Sequence, residues 1–142
     1  MSARFQDQTM VITGAAQGIG KRVAERAGAE GARLALVDRA EHVERVAAEL
    51  REAGIEAIAI QADLEAWEGA EGTMRQVQEH YGRLDVLINN VGATIWAQPY
   101  AHYTPEQIEA EVRRSLFPTL WCCRAALPYL LASQGNIVNV SS

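Results

Sequence analysis

Residues 13–20, Thr13-Gly-Ala-Ala-Gln-Gly-Ile-Gly20, carry the first chemistry legible in the sequence. They follow a β-branched run, Thr9-Met-Val-Ile-Thr13, and open a helical stretch. Gly14 allows the sharp turn out of a strand. Gly18 lets a phosphate approach the backbone without meeting a β-carbon, and Gly20 lets helix and sheet pack closely. A helix N-terminus offers unpaired N–H groups and partial positive charge, which suits a pyrophosphate. Gln17 and Ile19 complete the turn. Asp38 stands 18 residues after Gly20, at the tip of the next apolar run, where a carboxylate accepts from both ribose hydroxyls. That carboxylate would repel a 2′-phosphate, so NAD is expected over NADP. Arg39 is the counter-signal, because a guanidinium can hold such a phosphate; a solvated surface charge is its plainer reading.

These residues need a scaffold, and the rest of the chain supplies its pattern. Short apolar runs alternate with amphipathic stretches, as in a parallel sheet with crossover helices. Strands are expected at 9–13, 33–37, 55–60, 84–88 and 135–142. Helices are expected near 18–30, 43–54 and 64–81, and one long helix follows Thr104-Pro-Glu-Gln107, a capping-box start. Ile19, Val23 and Ala27 are read as one apolar row. In the long helix, Ile108, Val112, Leu116, Leu120, Cys123, Leu127 and Leu130 are read as the buried stripe, with a kink at Pro118. The fold expected is α/β, a Rossmann-type doubly wound sheet of five parallel strands in order 3-2-1-4-5. Its ligand crevice would lie between the first and fourth strands.

Composition bounds the function. The chain has 142 residues, 49% hydrophobic and 22% charged, and suits one domain (residues 1–142) rather than a disordered segment. Its net charge is −5, with no basic stripe, so nucleic acid is not an expected partner. No run approaches a membrane span, and the start lacks a signal-peptide core, so a cytoplasmic protein is expected. Cys122 and Cys123 are adjacent and read as reduced helix thiols; no metal site is expected.

With these pieces placed, the chain resembles the short-chain dehydrogenase/reductase family. T-G-A-A-Q-G-I-G is similar to the family's glycine loop. Asp63-Leu64 resembles its pair after the third strand, whose carboxylate holds the adenine amino group. Asn89-Asn-Val-Gly92 resembles its N-N-A-G segment, with Val91 in place of Ala, which brings in Asn90 and Gly92 as cofactor-binding residues. I-V-N-V-S-S resembles the strand that ends in the active-site serine, here Ser142. Ser115 takes the place of a family Asn whose main-chain carbonyl helps hold a water in the proton relay. Residues 91–131 resemble, more narrowly, the bacterial cis-diol dehydrogenases of benzoate breakdown. The resemblance implies a small-molecule alcohol or diol substrate, specifically hydride transfer from a ring cis-diol carboxylate to NAD that gives a catechol after decarboxylation, and a homo-oligomer in the full-length form.

The family also needs a Tyr base with a Lys four residues later. Tyr81, Tyr100, Tyr103 and Tyr129 are followed at that distance by Asp85, Thr104, Gln107 and Ser133, and Lys21 is the sole lysine. The chain is therefore expected to be the N-terminal part of a longer single-domain dehydrogenase and inactive alone. A non-catalytic dinucleotide-binding module is the other reading, and a dehydrogenase for another alcohol a smaller variant. Trp96, Tyr100, His102 and Tyr103 either shape a substrate site or pack their own loop. Arg113 and Arg114 read as solvated helix charges or a dimer contact before a carboxylate clamp.

Overall fold

A computed structural model describes residues 3–141; Ser142, expected as the catalytic serine, lies outside the described residues. The strands are β1 (Thr9–Thr13), β2 (Arg33–Asp38), β3 (Ala57–Gln61), β4 (Val86–Asn89) and β5 (Asn136–Asn139). All neighbours are parallel, in the order β3-β2-β1-β4-β5, as the alternating pattern predicts. In register, Thr13 lies beside Val37 and Ile12 beside Ile88, so the C-terminal tips of β1, β2 and β4 end together. The glycine loop and Asp38 thus arrive at the same edge.

Side chains alternate across the sheet with period two, and each face has its own core. Met10, Ile12, Leu34 and Leu36 pack against α1 (Gly18–Ala29) and α2 (Val43–Glu52). Val11, Ala35, Val37 and Leu87 pack against α3 (Trp67–Tyr81) and α5 (Phe117–Ser133). Burying each large apolar side chain contributes roughly 1.5–3 kcal/mol before the entropy of ordering it. Among the described residues, no helix is long and apolar enough to cross a membrane.

The long helix is two helices. α4 (Pro105–Ser115) stops and α5 begins at Phe117, with Leu116 between them. Pro118 is therefore a first-turn proline, not an interior one, and costs the helix no hydrogen bond of its own. Pro128 is the proline inside α5. α4 starts as expected: the Gln107 N–H donates to Thr104 Oγ1 (3.2 Å), and the Thr104 N–H donates to Gln107 Oε1 (3.0 Å).

The expected stripe needs a second correction. Val112, Leu116, Leu120 and Leu127 are exposed, while Cys122, Ala126 and Leu130 are buried against the sheet. α5 is apolar around most of its circumference, so periodicity alone does not choose its inward row. The close approach to the sheet does, and it selects the smaller Cys122 and Ala126. Ile19 also leaves its row: it is 61% exposed, while Ala27 is buried. Boundaries shift as well, with β4 starting at Val86 and not Leu84. β3 starts at Ala57 and not Ile55, α3 at Trp67 because Ala66 is extended, and β5 is confined to 136–139.

Candidate nucleotide-binding site

The cleft at the strand tips holds about 310 Å³. Gly14, Gln17, Gly18 and Ile19 line one side of it, Asp38 and Arg39 the β2 tip, and Asp63, Leu64 and Glu65 the β3 loop. Asn90, Val91 and Gly92 line the β4 side, and Arg114 closes it from α4. One place thus gathers nine of the ten residues expected to bind cofactor.

Gly20 is the exception, because it works from behind. A Cβ there would lie 2.3 Å from the Gly14 carbonyl oxygen and 2.8 Å from Asn90 Nδ2. No side chain fits, so Gly20 sets the packing of α1 under the loop. Gly18 is the opposite case: its φ is +57°, and a Cβ would meet nothing within 4 Å. Its absent side chain leaves open space on the cleft, the cradle a phosphate needs. Gln17 makes no side-chain cap to α1, and Ala16 gives its N–H to Asp38. The first-turn N–H groups of α1 remain for an outside acceptor. Together with the exposed Ile19, this donor set fits a dinucleotide.

Asp38 is fixed by two backbone donors. Its Oδ2 accepts from the Ala16 N–H and its Oδ1 from the Ala40 N–H, both at 3.0 Å. The carboxylate therefore ties the glycine loop to the β2 tip and still borders the cleft, with lone pairs to spare. Asp63 is exposed, and its Oδ1 accepts from the Glu65 N–H at 3.0 Å. Leu64 is buried beneath the loop.

Thr13 organises the point where strand order reverses, a role its place in the glycine motif does not announce. Its Oγ1 accepts from the N–H groups of Asn90 (2.9 Å) and Val91 (3.2 Å) and donates to the Ile88 carbonyl (3.4 Å). Asn90 Nδ2 in turn donates to the Gly14 carbonyl at 3.3 Å. These bonds hold the β1 and β4 loops as one unit.

Ser115 ends α4 at the β4 side. Its hydroxyl donates to the Ala93 carbonyl at 3.3 Å, and its own carbonyl lies 3.6 Å from where a Gly92 Cβ would stand. The helix break at Leu116 thus places the Ser115 carbonyl against the cleft's Gly92 segment.

The aromatic loop packs on itself. Trp96 and Tyr103 meet edge to face at 6.4 Å between centroids, and Tyr100 lies 6.1 Å from Tyr103 while remaining exposed. Glu111 of α4 anchors it, accepting from the Ile95 N–H (2.9 Å), the Trp96 N–H (3.1 Å) and the Tyr103 hydroxyl (3.0 Å). The Trp96 N–H foremost, with Ile95 and Tyr103, outweighs burial and holds the Glu111 carboxyl below the usual range. Burial and that same carboxylate raise the Tyr103 phenol. No spacing in the sequence points to Glu111; only the fold brings it to the loop.

Arg114 is not the solvated helix charge expected. Its Nε donates to Glu65 Oε2 at 3.0 Å across the cleft. Arg39 is exposed, as expected, with Nη1 3.7 Å from that same oxygen. Cys122 and Cys123 are free thiols, and burial pushes Cys122 up to about 12.

A parallel sheet in this order, with a glycine loop and a carboxylate at its switch point, defines a dinucleotide-binding dehydrogenase fold. The sequence profile of the short chain dehydrogenases matches residues 8–142, and the chain belongs to that family. It is 58% identical over its whole length to 1,6-dihydroxycyclohexa-2,4-diene-1-carboxylate dehydrogenase of Pseudomonas putida, covering 53% of that protein. It is 51% identical over 98% of its length to the Acinetobacter baylyi enzyme of the same name, covering 54% of it. The chain thus spans about half the length of these curated relatives. A crystal structure of a short chain dehydrogenase from Mycobacterium smegmatis superimposes with a TM-score of 0.91 at 31% identity, over 97% of this chain and 59% of that one.

Proposed function

We propose that the protein carrying this chain is an NAD-dependent dehydrogenase that oxidises a ring cis-diol carboxylate. The observation that carries the reading is the cleft: an uncapped helix start at Gln17 beside a carboxylate, Asp38, already oriented by two backbone N–H groups. The named activity of the two similar relatives supports the substrate class.

In this reading Gly14, Gln17, Gly18 and Ile19 hold the pyrophosphate, Gly20 lets α1 pack close beneath them, and Asp38 accepts from the ribose hydroxyls. Asp63 and Leu64 receive the adenine, and Asn90 and Gly92 shape the path toward the nicotinamide. When bound, NAD supplies the hydride acceptor. The substrate's carbinol C–H gives up hydride and its O–H a proton, leaving a ketone; loss of carbon dioxide then yields a catechol. Ser142 stabilises the reacting oxygen, and the Ser115 carbonyl holds a water for the proton's exit. The base and its lysine partner, Tyr-x-x-x-Lys, are not among the 142 residues. NADP is disfavoured by Asp38. The proposed setting is cytoplasmic and, for the full-length form, homo-oligomeric; neither nucleic acid nor membrane is a proposed partner.

The test follows NADH formation from the cis-diol carboxylate, with this chain and with the longer reading frame that contains it. Turnover is expected only where Tyr-x-x-x-Lys is present. Turnover by the 142 residues alone would overturn the assignment of roles, and a longer form inert on the diol but active on another alcohol would overturn the substrate.

A further inference from the structure

The ribose end of the cleft holds more charge than Asp38. Glu65 sits on the loop between β3 and α3 and lines the same cleft as Arg39 and Arg114. Its Oε2 accepts from Arg114 Nε at 3.0 Å and lies 3.7 Å from Arg39 Nη1. Glu65 is itself well fixed. Its N–H donates to Asp63 Oδ1, and its carbonyl accepts from Trp121 Nε1 at 3.4 Å. Its side chain is 23% exposed and that of Arg114 26%, whereas Arg39 is 60% exposed.

A guanidinium beside the ribose carboxylate is well suited to grip a 2′-phosphate, through its planar fork of donors. Arg39 adjoins Asp38 and Arg114 lines the same cleft, and one Glu65 carboxylate oxygen engages both guanidiniums. We propose that Glu65 is a cofactor-selectivity residue: by engaging Arg39 and Arg114 it keeps both from a 2′-phosphate and reinforces the preference set by Asp38. This rests on the dinucleotide reading above. Arg114 is held by a hydrogen bond of normal length. Arg39 is held by a longer, exposed pair, which is the weaker restraint. Removing the Glu65 charge therefore releases Arg39 most easily. Asp38 stays in place, so the preference narrows without inverting.

The experiment titrates 5′-AMP and adenosine 2′,5′-bisphosphate into the 142-residue chain and reads backbone amide shifts by NMR. The adenosine half of the cleft lies within residues 14–114, so no catalytic turnover is needed. The wild type is expected to favour 5′-AMP. Glu65→Gln is expected to tighten the bisphosphate about tenfold, the effect of one unbalanced charge near a phosphate, with 5′-AMP unchanged. Adding Arg39→Ala should cancel that gain, while Arg39→Ala alone should leave the wild-type preference nearly unchanged. Equal weakening of both ligands by Glu65→Gln, or an unaltered ratio, would overturn the proposal. If the folded wild type binds neither nucleotide, the dinucleotide reading fails and this inference falls with it.

Discussion

Two aspartates mark the two ends of the sheet, and they do different work. Asp38, at the C-terminal tip of β2, borders an open cleft, and among the described residues its carboxylate is held by the N–H groups of Ala16 and Ala40 alone. Asp85, just before β4 at the opposite end, is buried. It accepts from the Thr9 N–H at 2.8 Å and from Arg83 Nε at 2.9 Å. Its carbonyl accepts from the Asn136 N–H at 2.9 Å, so Asp85 joins the feet of β1, β4 and β5. Burial opposes its charge, yet Arg83 and the Thr9 N–H prevail and hold the Asp85 carboxyl below the usual range. The contrast teaches that hydrogen bonding alone does not mark a binding carboxylate. Spare acceptor capacity facing open space does. At the lower end the donors close on the carboxylate; at the upper end they orient it.

That comparison can be broken most forcefully at Gly20. Gly20→Ala puts a Cβ against the Gly14 carbonyl and should cost roughly 2–3 kcal/mol, with loss of 5′-AMP binding, read by urea melting and titration. Asp85→Asn should cost about 1–3 kcal/mol through its weakened contacts to Arg83 and Thr9, while a folded population keeps its 5′-AMP affinity. Asp85 also gives a pH signature. Its folded pKa is lowered, so its stabilisation is fully present above its unfolded value and is lost as pH falls through the lower folded one. The wild type should lose stability below about pH 4 more steeply than Asp85→Asn does. Asp38→Asn should show the converse pattern, about tenfold weaker 5′-AMP binding with less than 1 kcal/mol of stability change. Tyr103→Phe should have the smallest effect, a slight loss of stability on urea melting from removing one hydroxyl donor to Glu111, with nucleotide affinity unaltered.

The upper end was the more legible in sequence. Strand order follows from alternating apolar runs, and the glycine loop and Asp38 have fixed spacing, so one pattern implies the other. Helix phase was harder. α5 presents apolar residues on both sides, and the choice of Cys122 and Ala126 over Leu120 and Leu127 depends on how closely the helix approaches the sheet. The helix break at Leu116 likewise turned Pro118 from an interior kink into a starting residue. Thr13, Glu65 and Glu111 escaped because their roles come from long-range contacts. Glu65 meets Arg114 across 49 residues, and no local period records that distance.

The most direct measurement maps 5′-AMP onto the chain by amide shift perturbation. Shifts concentrated at residues 14–20, 38–40 and 63–65, with Asp85 and Thr9 unmoved, are the predicted result. Saturable shifts centred on Asp85 and the feet of β1 and β4, or none at all in a folded chain, would contradict it.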